Sequence, residues 1–510
     1  MASPWRGVPS ACTAAQAASG VRRGGGHALF CPAPLDLAAD STEEVCCSLG
    51  LYRKHGRNAT HVIPPTADRR QVPHPAARVV DECYQNTSAS PACCFNSCGH
   101  HGACDRSVCR CAPRWKGIDC LEAEATPARP EMEEGGEGLK FVYVFSPPNR
   151  WGFQQLRQRQ TLMNSYDTEY HLLRRLLSDW RVRTLNPSQA ALFYVPTWAV
   201  HLWGNVAFPA HDVWTLGRLG VWLDSQETFH QLLAKFNSSL ARRFLFFYGG
   251  DKGACHVARE VGASRPTFLT HFGLQVPVEF MGKPHLFRPT AGCTRKACAL
   301  KSMSSVCHAP RDVVMPFYAA WGHDQEWPHA AGRQAEGSKW ACELFFAGRY
   351  KSANPMYSQG VRQAVFSVHN RTPGFCLRTK APAEYWRKSR FCLCPSGGGF
   401  GDRLQQSLRL GCVPLIMQPY VTQPLEDVVP YSEFSLRVDL ADLHVLPRIL
   451  ASVSNDQHAR LRRGVMKYRA AFNWHDGYGK AYESSIYALC LRAELSLGRC
   501  NHFRPVFRLS

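Results

Sequence analysis

R-F-C-L-C-P-S-G-G-G-F-G-D-R-L-Q-Q-S-L-R-L-G-C-V-P-L-I-M, residues 390–417, decides the fold of this chain. Apolar runs at 390–395 and 412–417 read as buried strands, separated by a glycine loop (397–401) and a short helix (403–410). Strands this apolar need cover on both faces, which is the habit of a parallel α/β sheet. Asp402 is placed to N-cap the helix, with Gln405 completing a capping box, and Gly411 is placed to stop it. The loop then lies at the carboxyl end of the first strand. There, backbone N–H groups and the helix N-terminus face an open crevice and can hold a phosphate. Leu404 and Leu408, four apart, turn inward, while Arg403, Gln406 and Ser407 share a face that borders the crevice. A glycine run alone says little, but here strand, cap, arginine and second strand agree.

Outward from this unit the alternation continues. Strands at 141–145, 191–195 and 244–248 alternate with helical stretches such as 168–180, and a second alternating unit starts at Leu344. A helical tail follows over 451–493, with Cys490 and Cys500 placed to tie it down. This pattern predicts an α/β fold.

The same residues resemble the exostosin family of glycosyltransferases. F-C-L-C-P-S-G, G-D-R-L and G-C-V-P-L-I match its nucleotide-sugar signature. T-E-Y-H-L-L-R-R-L-L, F-L-F-F-Y-G-G-D-K-G-A-C-H, C-H-A-P-R-D-V-V-M-P, L-F-F-A-G-R, Y-S-Q-G-V-R-Q-A and Y-S-E-F-S-L-R-V occur with it in family order, over roughly residues 139–485. The resemblance implies a GT-B fold: two Rossmann-like halves, at 139–335 (acceptor side) and 336–490 (nucleotide-sugar side), with a crevice between them and a tail at 491–510. It implies an inverting transfer from a nucleotide sugar, expected to be a UDP-sugar, to a glycan or glycoprotein of a wall or matrix. Gln406 stands where the family carries a glutamate that commonly holds the ribose. The amide can still hydrogen-bond, but the charge is gone. A non-catalytic partner or glycan-binding protein is therefore the alternative reading.

Of the 23 cysteines, 12 lie in the first 120 residues, a density suited to an oxidising compartment. The spacing C-x3-C-x5-C-x4-C-x-C-x8-C at 94–120 resembles an EGF-like module (82–120). That resemblance implies the bridges Cys94–Cys104, Cys98–Cys109 and Cys111–Cys120, and a role as spacer or protein-contact surface. Cys93 could replace Cys94. Zinc is the rival reading, with His100 and His101 nearby, but the paired C-x2-C of zinc folds is missing. Residues 1–81 read as a stem without chemistry and 121–138 as an acidic linker. Sequons at Asn58, Asn86, Asn237 and Asn370 suit a secretory route. Family members are tethered in the Golgi by one N-terminal helix, and no apolar run near 18 residues is present; the expectation is a Golgi-lumen enzyme whose anchor precedes this sequence. Lys+Arg exceeds Asp+Glu by 60 to 40, for a net charge of +20. No nucleic-acid module accompanies this charge, so scattered solubilising charge, with some attraction for anionic donors or glycans, accounts for it.

Transfer from a nucleotide sugar requires a stabilised leaving diphosphate, a held ribose and base, and a deprotonated acceptor hydroxyl. No D-x-D stands in a strand–turn setting, so arginine and helix N–H groups, without metal or other cofactor, are expected to hold the diphosphate. Arg403 is the first candidate, with the amides of Gly399, Gly401 and Asp402; Arg349 is second and Arg362 third. Ser396, Gly397 and Gln406 complete the donor set. Lys388 and Arg390 read as edge charges. Asp251, at a strand end, is the candidate base, ahead of His256, His271 and Glu279, while Asp312 reads as a cap that orients a strand.

Overall fold

The strands at the centre of the molecule are short apolar runs with no exposed face. F-L-F-F-Y at Phe244–Tyr248 and S-R-F-C-L-C at Ser389–Cys394 are buried at every position, as strands covered on both sides must be. The computed structural model describes residues 94–105, 108–123, 139–147, 165–197, 222–251, 253–256, 266–275, 307–319, 340–350, 357–475 and 478–507. The stem, Cys93, Asn58, Asn86 and Glu279 lie outside them, as does the side chain of His256.

The first half comprises β1 (Val142–Val144), α1 (Thr168–Ser178), β2 (Arg183–Thr184), β3 (Leu192–Val195), α2 (Glu227–Phe236), β4 (Phe244–Tyr248), β5 (Thr267–Thr270), β6 (Gly273–Leu274) and β7 (Val313–Val314). Its six-stranded sheet runs β7-β5-β4-β3-β1-β2, parallel throughout. In the second half, β8 (Cys342–Ala347), α3 (Val361–His369), β9 (Phe375–Arg378), β10 (Ser389–Cys394), α4 (Arg403–Leu410), β11 (Val413–Ile416), β12 (Val421–Thr422) and β13 (Leu436–Arg437) follow. That sheet runs β9-β8-β10-β11-β13, again all parallel. Two parallel α/β halves make the GT-B arrangement. In the second half the winding reverses between β8 and β10. The crevice outside their carboxyl ends is where open α/β sheets bind ligands.

Antiparallel pairing of β6 with β12 joins the halves. Leu425 N–H donates to Val314 O (2.8 Å) and Trp474 Nε1 to Pro316 O (2.8 Å). The chain ends with α5 (Asn455–Tyr468), started by a Ser454–Gln457 capping box, and α6 (Ala481–Arg492), closed by the Cys490–Cys500 disulfide. The sequence reading puts α6 with the second half. It also reaches the first, through Arg175–Glu483 (3.1 Å) and Arg492 Nη2 to Asp312 O (3.3 Å). A helix buried along nearly its whole length needs cover from both halves.

Two details of the central unit differ from the sequence reading. Asp402 has helical dihedrals and makes no capping hydrogen bond; its carboxylate meets Arg403 instead. Gln405, relieved of capping, is buried and donates to Phe317 O and Phe472 O, both at 2.9 Å. Ser407 does not border the crevice: it is buried, with Oγ donating to Arg403 O (2.7 Å). Gly411 does stop α4, in the left-handed conformation with φ 74°.

The N-terminal cysteines are bonded as Cys94–Cys104, Cys98–Cys109 and Cys111–Cys120. The sulfurs of Cys94, Cys98 and Cys109 cluster closely enough for a metal, but all three are committed to these bridges. The module is docked against the first half and is not a detached spacer. Asp119 and Arg183, each at most 1% exposed, form a bidentate pair. Asn96 Nδ2 donates to Leu177 O (3.1 Å), and Ile118 N–H to Ser146 Oγ (2.9 Å). The expected linker start at 121 also moves. Glu122–Ala123 pairs with Trp115–Lys116, and Glu122 accepts from Tyr143 Oη (3.3 Å) with its carboxyl raised by burial. Two bridges in the second half, Cys342–Cys376 and Cys392–Cys412, were not foreseen.

Candidate active site

The glycine loop is glycine because of what approaches it. A Cβ on Gly399 would lie 1.8 Å from Asp251 O, and one on Gly401 2.8 Å from Pro395 O. Gly398 lies between the Asp251 carboxylate and the Tyr357 ring, each 3.9 Å from its ideal Cβ. The glycine loop therefore sits directly on the turn after β4, which brings Asp251 of the first half to the loop of the second.

Opposite this contact, Tyr357–Gly360 forms a tight turn in which Ser358, Gln359 and Gly360 all have positive φ (59°, 53° and 78°). Non-glycine residues hold this conformation only where the surroundings enforce it, and such strain gathers at ligand sites. Ser358 N–H donates to Gly397 O (2.7 Å), pinning the turn to the loop. The turn starts α3 and aims Arg362 inward. Arg362 is 3% exposed, with Nη1 donating to Arg349 O (2.8 Å) and Tyr357 Oη (2.9 Å). Burial lowers its guanidinium pKa; Tyr357 opposes the shift and the Arg403 cation adds to it.

Arg403, the first residue of α4, extends back under β8. Nε donates to Ala347 O (2.7 Å), and Nη1 to Asp402 Oδ1 and to Gln406 Oε1 (3.2 Å). Both arginines approach Gly348, whose added Cβ would meet Arg403 Nη2 at 3.0 Å and Arg362 Nη1 at 3.3 Å. Two guanidiniums thus converge where β8 ends.

These groups line a cleft of about 530 Å³ with Ser165, Tyr166, Asp251, Arg349, Thr379 and Asp402. A slightly larger concavity of about 570 Å³ lies under the C-terminal residues and shares no wall with it. The former has the switch point, the glycine loop and the paired arginines. Asp251 is half-buried there, with Oδ1 accepting from Tyr166 Oη (3.0 Å).

Arg349, Arg362, Gly397, Gly401, Asp402 and Arg403 come together on the wall with Asp251. Gly399 turns to the Asp251 backbone. Ser396 is fully buried behind the loop, its Oγ without a partner among the described residues, and Gln406 reaches Arg403 from outside the cleft wall. Arg390 lies apart, paired with Glu343 at 2.6 Å. Asp312 accepts from Phe268 N–H (3.0 Å) and Ala309 N–H (2.7 Å), which fixes the start of β5.

His271, just after β5, is buried among Phe247, Phe317 and Phe400 at ring distances of 5.3, 6.3 and 5.3 Å. Burial lowers its pKa to about 4. Tyr166 and Phe400 were missed by the sequence reading. Their rings meet at 5.7 Å across the two halves, and no local pattern announces a contact between residues this far apart in sequence.

Residues 299–453 match the Exostosin GT47 domain. Two probable glucuronosyltransferases of Oryza sativa subsp. japonica are 24% identical over 339 and 397 residues, covering 65% and 73% of this chain and 72% and 87% of theirs. A probable beta-1,4-xylosyltransferase of Arabidopsis thaliana is 25% identical over 347 residues, covering 65% of this chain and 75% of its own.

Proposed function

The chain belongs to the exostosin family of glycosyltransferases, and from that premise we propose that it transfers a sugar from a UDP-sugar to a glycan or glycoprotein hydroxyl with inversion. The carrying observation is the convergence of Arg362 and Arg403 on Gly348 beside the glycine loop. Two close guanidiniums, one of them buried, gain from a dianion placed between them, because attraction replaces mutual repulsion at low dielectric. A diphosphate leaving group supplies that charge, and it grows as the glycosidic bond breaks. The arginines then stabilise the transition state more than the ground state. In this reading no metal is needed for the leaving group.

The acceptor oxygen attacks the anomeric carbon from the face opposite the diphosphate. The bond to the diphosphate oxygen breaks, and the acceptor's proton passes to Asp251. Tyr166 orients that carboxylate. A glucuronosyl or xylosyl donor is the natural starting choice, because the relatives carry those names. Six disulfides among the described residues suit the secretory pathway, and the Golgi lumen is the proposed site of action. No helix among the described residues is long and apolar enough to cross a membrane. The outer face of the docked disulfide module is the proposed surface for a protein partner.

The test is thermal unfolding with UDP, GDP and UDP-sugars, run beside a transfer assay. UDP at about a hundred times its dissociation constant adds about 2.7 kcal/mol of stability. Arg362→Ala and Arg403→Ala are expected to lose that stabilisation and about 10²- to 10³-fold in turnover. Asp251→Asn is expected to keep UDP stabilisation while losing turnover. Undiminished turnover in both arginine variants would sink the reading.

A further inference from the structure

The glycine loop, G-G-G-F-G at 397–401, carries one side chain, Phe400. Four glycines have nothing of their own with which to fix a loop. Neither the paired arginines nor the proposed base makes use of the phenylalanine.

Its ring enters a socket built by the first half. Tyr166 meets it at 5.7 Å, His271 at 5.3 Å and Phe317 at 5.3 Å, all within the range of aromatic pairs. The socket is braced from behind. His271 and Phe317 are buried, and their rings are 6.3 Å apart. His271 Nδ1 donates to Met315 O (3.2 Å), and its ring also meets Phe247 at 5.3 Å. Phe317 O accepts from Gln405 Nε2 (2.9 Å) of α4. Phe400 forms part of the donor cleft on one side and, on the other, closes a cavity of about 20 Å³ that His271, Phe317 and Gln405 also line.

Tyr166 serves both halves at once. Its ring rests on Phe400, while its Oη donates to Asp251 Oδ1 (3.0 Å). Three residues beyond Phe400 stands Arg403. Asp251, Tyr166, Phe400 and the start of α4 therefore form one continuous path from base to diphosphate cradle. Displacement with inversion needs the acceptor oxygen, anomeric carbon and leaving oxygen in line, and a 1 Å misplacement costs about 10²-fold.

We infer that Phe400 is a positioning residue for the transfer. Its ring keys the glycine loop into the acceptor-side half, and this contact with Tyr166 fixes the separation between Asp251 and the diphosphate held by Arg362 and Arg403. This role presupposes the donor reading above.

The test is steady-state UDP release by the full chain from UDP-sugars, UDP-glucuronic acid and UDP-xylose first, with water in the acceptor's place, beside UDP binding followed by thermal unfolding. Phe400→Ala is expected to lose about 10- to 100-fold in kcat, with donor KM and UDP dissociation constant within about threefold of native. Phe400→Leu, which refills the socket, is expected to return to within about fivefold of native. Tyr166→Phe keeps the ring and loses the hydroxyl on Asp251; combined with Phe400→Ala, it is expected to cost clearly less than the product of the two single losses. Phe400→Val takes the place of the alanine variant if that one does not fold. The role is overturned if Phe400→Ala releases UDP at the native rate, if its UDP binding falls in step with kcat, if leucine fails to restore it, or if the two losses multiply. Native protein that releases UDP from no UDP-sugar would overturn the donor reading and this role with it, whereas an active native chain beside an equally active Phe400→Ala overturns this role alone.

Discussion

Arg403 is held by three oxygens, from Ala347, Asp402 and Gln406. A glutamate in place of Gln406 would add a second carboxylate to that guanidinium. The amide fixes its direction and leaves more of its charge for a ligand. Gly399 is constrained as tightly. A methyl there would fall 1.8 Å from a carbonyl oxygen and 2.4 Å from its carbon, backbone atoms that cannot rotate away. Gly399→Ala is therefore expected to push the loop off Asp251, costing about 1–3 kcal/mol of stability and a larger share of turnover than of UDP binding. Gly498→Ala meets nothing within 4 Å and is the neutral control in the same urea titrations and transfer assays. Arg403 could be singled out from sequence because it opens a legible helix. Arg362 ranked below Arg349 because its direction is set by three successive left-handed residues that no propensity foretells.

At the scale of elements, α4 was legible in extent but not in its capping. Its N-terminal turn reaches both halves: Gln405 satisfies Phe317 O of the first and Phe472 O of the second, which a local capping box would have left to others. The end of β5 has a measurable consequence. His271 has its pKa lowered by burial to about 4, and His458, which contacts Arg390 O at 2.8 Å, is lowered likewise to about 4. Below the ordinary histidine value the unfolded chain binds protons that the folded one refuses, so stability falls as pH drops from about 6.5 toward 4. Each fully shifted histidine accounts for up to about 3 kcal/mol. The melting temperature is expected to fall across that window, and His271→Phe to flatten the fall even where it lowers stability at neutral pH. An unchanged slope in that variant would show that other groups set the acid limit.

Across the whole molecule, the cysteine module and the C-terminal helix do the same work from opposite ends of the described chain. Both pack on the first half, with which neither shares a sheet. The Asp119–Arg183 pair is fully buried, and removing one partner strands the other charge without water. Asp119→Asn is expected to cost roughly 3 kcal/mol, read as a lower urea midpoint with an unchanged slope. It is expected to reduce transfer only in proportion to unfolding, because neither residue lines the cleft. If the module were a tethered spacer, the same substitution would leave the midpoint where it was.

By itself the sequence determined what short-range rules can encode: two sets of apolar strands, a glycine loop before a helix, Gly411 as its stop, and the exostosin blocks in order. It also carried the six-cysteine spacing whose resemblance implied the bridges that the structure contains. Tertiary structure alone decided which side chains share the cleft and which way they face. Asp251 and Gly399, and Tyr166 and Phe400, meet only after two sheets have packed across a crevice, while Arg362 and Arg403 are brought together from two different helices of the second half. The physical reason is that strand and helix periods fix which face of an element is buried, whereas the partner across a gap depends on the packing of elements far apart in sequence.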